Sequence, residues 1–108
     1  MTQAEKKKFR MSKEWKAFRQ KLRKAHCATD YVTKQPLTRS WNLHHLDLRN
    51  KNYTNISDTR RFLPLNERTH EIVHWLYPLW LNNRRVMSRL EDVFRRMDEY
   101  SHDNTEES

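Results

Sequence analysis

The chain of 108 residues contains no glycine. That excludes the nucleotide loops GxGxxG and the P-loop, whose backbone must approach phosphates more closely than a Cβ allows. Cysteine occurs once, at Cys27, so there is no internal disulfide and no zinc site built from thiolates alone. No apolar run approaches the roughly 20 residues that cross a bilayer, and no secretory apolar core follows the basic N-terminus. A cytoplasmic protein with no membrane partner is expected.

What the chain has instead is charge and aromatic rings. The length suits a single domain, and four Trp, four Tyr and four Phe supply a small, aromatic-rich core where only 35% of residues are hydrophobic. The formal charge of +8 is unevenly spread. Residues 1–26 hold ten Lys/Arg against two Glu, whereas residues 98–108 hold five Asp/Glu and no Lys or Arg. A basic body favours a polyanion, and nucleic acid is the expected partner. Residues 1–11 read as a basic flexible arm, 12–100 as one domain, and 101–108 as an acidic disordered tail.

Along the domain, Trp15, Phe18, Leu22 and Ala25 recur at helical spacing behind Ser12 as N-cap, giving a basic amphipathic helix. Residues 26–65 lack a helical period. Short strand-like pieces lie around Tyr31–Thr33, Trp41–His44 and Phe62–Leu65, with a long Asn-rich loop before the last. Asn66 is expected to cap a second helix carrying Ile72, Val73, Leu76 and Tyr77, which Pro78 ends or kinks. A last helix, from about Leu81 to Tyr100, has Val86, Leu90, Val93, Phe94, Met97 and Tyr100 as its buried stripe. The fold class is therefore α+β.

His70 and His74 are four apart on the second helix, which puts both imidazoles on one face within reach of one divalent metal. The strand, loop and strand before the helix bring His44 back toward them as a third nitrogen ligand. Three protein ligands leave coordination positions open for water and a phosphate oxygen.

The run from Cys27 to His74 resembles the HNH, or ββα-metal, endonuclease family, and is most similar to the His-His…His-x-x-x-His pattern of the colicin-type DNases. The resemblance implies a hairpin-and-helix core over 27–77 with His44, His70 and His74 as metal ligands and His45 as general base. It also implies a small phage or mobile-element protein. Adjacent strand residues face opposite ways, so His44 can turn to metal while His45 turns to substrate. The family's second zinc-binding Cys pair is missing here, with Asn66 and Thr69 in its place, and the asparagine that names the family falls on Arg61.

Other residues complete the expectation. Arg60 and Arg61 can hold phosphate as guanidinium forks, Arg61 within the catalytic site. Lys6, Lys7, Lys8, Arg10 and Lys13 are assigned to the DNA backbone. Trp15, Trp75 and Trp80 are read as core rather than as base-stacking platforms. Cys27 is read as a small buried residue and Asp30 as a turn residue. The expected activity is hydrolysis of DNA phosphodiesters with one divalent ion, Zn, Ni, Mn or Mg. The alternative is a non-catalytic, metal-braced nucleic-acid-binding or interaction module of the same fold. Whether the chain acts as a homodimer or within a larger nucleic-acid machine stays open.

Overall fold

A computed structural model describes residues 1–107. Two helices, α1 (Gln3–Arg10) and α2 (Lys13–Ala25), precede a hairpin of β1 (Asn42–His45) and β2 (Phe62–Leu65). Helices α3 (Glu67–Asn82) and α4 (Val86–Glu107) follow. The chain divides into two compact units, one over Met1–Glu71 and a second from Ile72 onward.

In the first unit three residues of the sequence stripe on α2 are core, and the fourth, Ala25, is exposed. Ser12 Oγ accepts the Trp15 N–H at 3.2 Å to start the helix, and Trp15, Phe18 and Leu22 are buried against Trp41, Leu43 and Phe62. Each such side chain stabilises the fold by roughly 1.5–3 kcal/mol through its burial. Arg19 latches α2 to the start of the hairpin, lying 3.8 Å from the Trp41 ring and donating to the Trp41 carbonyl at 2.8 Å. The strands pair antiparallel, with His44 opposite Leu63 and His45 opposite Phe62.

The N-terminal arm is helical. Thr2 and Glu5 form a reciprocal capping box, and the basic residues Lys7, Lys8 and Arg10 lie in the last turn, where the helix dipole favours them. Phe9 packs against the core cluster, so residues 1–11 are not a loose arm.

Without glycine, three other residues take left-handed backbone angles: Cys27 (φ 55°), Ala28 (φ 54°) and Lys34 (φ 61°). After α2, the Cys27 N–H bonds the Lys24 carbonyl and the Ala28 N–H bonds the Arg23 carbonyl. This is a Schellman ending with Cys27 where glycine is favoured. Cys27 is exposed there rather than buried.

The segment Tyr31–Thr33 is a turn, not a strand, because Asp30 organises it. Asp30 is fully buried, and one carboxylate oxygen accepts the N–H groups of Val32 and Thr33 at 2.8 and 2.9 Å while the other accepts the Asn66 N–H at 2.8 Å. The Thr69 side chain also bonds it. Burial pushes the carboxyl up, but these donors outweigh it and hold the group below its ordinary range. Asn66 directs its side chain to the 36–38 segment instead of capping α3, accepting the Thr38 N–H and donating to the Pro36 carbonyl. Asp30 thus ties the turn to the start of α3.

The second unit departs most from expectation. Pro78 lies inside α3, which continues one more turn to Asn82; the proline removes one donor from the ladder, and the surrounding turns face solvent, where water can serve freed carbonyls. None of the expected stripe on α4 is buried: Val86 and Leu90 are half-buried, and Val93, Phe94, Met97 and Tyr100 are exposed, Phe94 and Met97 each at 59% and Tyr100 at 71%. Trp75 is 80% exposed and Trp80 36%, so of the three tryptophans read as core only Trp15 is core. Helix α4 extends through residues 101–107, the stretch assigned to a disordered tail; Ser108 lies outside the described residues. No helix among the described residues is long and apolar enough to cross a membrane.

Candidate metal centre

The two faces of β1 carry different chemistry because strand side chains alternate. Trp41 and Leu43 belong to the core packed on α2, and His45 shares their face. His44 points the other way, is 9% exposed, and lies edge-on to His70 with ring centroids 5.2 Å apart. His74 follows one turn later on α3. One nitrogen from each of His44, His70 and His74 lies within 4.8 Å of the others.

That donor set fits a transition ion. A tetrahedral ion about 2.1 Å from each nitrogen holds its nitrogens about 3.4 Å apart, a contraction that imidazole rotations can supply. Burial grades from His44 through His70 to the exposed His74, so one side of the cluster opens to solvent. None of the three lines the cavity of ≈ 290 Å³ bounded by Lys21, Leu22, His26, Arg60 and Phe62.

His45 is half-buried and braced by three rings. Its ring stacks on Tyr53 at 4.6 Å and on Trp15 at 5.8 Å, with Phe62 edge-on at 4.9 Å. Its Nε2 is 3.2 Å from the Tyr53 carbonyl oxygen. Burial lowers its pKa first; the Tyr53 carbonyl opposes this, while Lys6 and Arg10 add to the lowering and Asp47 counters them. The neutral ring is favoured.

The loop between the strands presents its own order. Asp47 accepts from the Arg49 backbone and guanidinium and from Asn52 Nδ2 at 2.7 Å, and these donors hold its carboxyl well below the usual range. Asp58 accepts from the Arg60 backbone and guanidinium in the same way. Arg61 reaches toward both carboxylates, 3.6 Å from Asp47 and 4.0 Å from Asp58, while its carbonyl accepts the Leu46 N–H. Arg60 is 89% exposed beside it.

Among the assigned phosphate contacts, Lys7, Lys8 and Lys13 are exposed on α1 and α2. Lys6 and the exposed Arg10 also meet Tyr53. Lys6 Nζ lies 4.9 Å from the ring centre, and Arg10 Nη1 donates to the hydroxyl at 2.9 Å. Sequence reasoning missed Tyr53, and an aromatic residue alone in a polar, Asn-rich loop was the available signal. It also gave Asp30 no role beyond a turn. Comparison with protein-family models, curated proteins and solved structures found no match.

Proposed function

We propose that the chain is a metal-dependent endonuclease that hydrolyses DNA phosphodiester bonds, as its resemblance to the HNH pattern implies. The observation that carries this reading is the convergence of His44, His70 and His74, with the next residue along β1, His45, separately braced on the other face of the strand. A divalent ion on the three imidazoles, Zn²⁺, Ni²⁺, Mn²⁺ or Mg²⁺, would supply a Lewis acid to offset charge on phosphate oxygens. His45 accepts the proton of the attacking water at Nδ1, because Nε2 carries its proton toward the Tyr53 carbonyl. Arg60 and Arg61 provide guanidinium donors for the scissile or a flanking phosphate, and Lys7, Lys8 and Lys13 for the backbone beyond it. Such a protein works in the cytoplasm, that of the host where a phage or mobile element encodes it.

One observation favours a second reading. His45 is packed among Trp15, Tyr53 and Phe62, as a purely structural ring would be, which suits a metal-braced binding module that does not cut. Nicking of supercoiled plasmid with each of the four metals, against an EDTA control, decides between them. Metal-dependent nicks support the nuclease; DNA and metal binding without nicks supports the module.

A further inference from the structure

From Ile72 to His102 no residue is buried, although this stretch carries 11 of the large hydrophobic side chains that the chain exposes. A helix with that composition gains little from propensity alone and relies on burying its apolar face. On α4 that face is regular. Val86, Leu90, Val93, Met97 and Tyr100 recur at alternating spacings of four and three, the seam of a coiled coil. Ion pairs Arg95–Glu91 at 3.0 Å and Arg96–Asp92 at 3.1 Å are made within the helix.

The charge along α4 and the turn before it says what covers the seam. Residues 84–90 carry three arginines and no carboxylate, whereas residues 98–107 carry five carboxylates and no Lys or Arg. A parallel copy would set basic against basic and acidic against acidic. An antiparallel copy sets each half against its complement. We infer that α4 is a homodimerisation helix that pairs antiparallel with α4 of a second copy of this chain. The seam then sets Val93 against Met97 of the second copy and Leu90 against its Tyr100, with the two Phe94 rings flanking the two-fold axis.

The test uses the full chain. Sedimentation across a hundredfold concentration range should show a species of twice 13.4 kDa that Val93→Asp with Met97→Asp converts to monomer. Metal affinity should be unchanged in that variant, because His44, His70 and His74 lie outside α4. Orientation is read in a Cys27→Ser background under oxidation: Phe94→Cys should link to itself across the axis, whereas Val86→Cys should not, because an antiparallel pair separates the two copies of residue 86 by roughly 27 Å. A wild-type monomer at every concentration overturns the inference and leaves the seam to a different protein. So does a dimer that survives the double aspartate variant, or one in which Val86→Cys links and Phe94→Cys does not.

Discussion

His45 Nε2 lies 3.2 Å from the carbonyl oxygen of Tyr53, and the two rings stack 11° from parallel. A backbone carbonyl can only accept, so Nε2 carries a proton and, in the neutral ring, Nδ1 is the basic nitrogen. Tyr53 is itself held by α1, through Arg10 at its hydroxyl and Lys6 over its ring. The N-terminal helix therefore fixes the loop that fixes the histidine. Deleting α1 to remove positive charge would also disturb His45, whereas the exposed Lys7 and Lys8 can be neutralised without touching it.

Cys27→Gly should stabilise the protein. The left-handed angle at Cys27 costs a residue with a Cβ on the order of 1 kcal/mol, and glycine adopts it freely. The exposed thiol sacrifices little packing. Urea unfolding should show a gain of about 1 kcal/mol; a loss would mean that the Cys27 side chain matters more than its backbone angle.

Asp30→Ala should cost about 3 kcal/mol or more, since it removes the buried charged acceptor of three N–H groups, those of Val32, Thr33 and Asn66. Asp30→Asn tests the charge. Because the folded pKa is depressed, the contribution of Asp30 is fully present above the unfolded value of about 3.9 and is lost as pH falls through the lower folded value. Unfolding free energies measured from neutral pH downward should therefore fall less steeply below about pH 4 in Asp30→Asn than in wild type. Equal slopes would remove the linkage.

One transition metal should bind per chain, and His70→Ala should weaken it strongly by calorimetry, as should His44→Ala. His74→Ala removes the most exposed ligand. Unchanged affinity in both helix variants would dissolve the ligand assignment.

Much of this was readable in the sequence where partners are close along the chain. The α2 stripe, the Ser12 cap and the pair His70 and His74 follow from helical spacing, and the capping box of Thr2 and Glu5 has an equally local signature, a Thr followed three residues later by a Glu. The opposite facing of His44 and His45 follows from strand alternation. Asp30 was not readable as a hub because its partners Asn66 and Thr69 lie on a different element, far along the chain. The α4 stripe shows the limit of periodicity, which reveals that a face is apolar but not whether this chain covers it.

The final prediction separates catalysis from packing at His45. His45→Ala should keep metal and DNA binding and lose cleavage by about 10²- to 10⁴-fold, the usual effect of removing a positioned base. Because the ring is wedged between Trp15 and Tyr53, alanine also leaves a cavity, so His45→Gln is the needed companion: it restores a polar side chain with a donor for the Tyr53 carbonyl while lacking a comparable base. Both variants should be slow if His45 is the base. If glutamine recovers the nicking rate of wild type, His45 only braces the loop. Arg61→Asn probes its neighbour, whose guanidinium lies between Asp47 and Asp58 rather than standing free. A phosphate clamp predicts lower activity in that variant with metal binding intact, whereas a residue that only neutralises the two carboxylates predicts lower stability with the cleavage rate of the folded fraction preserved.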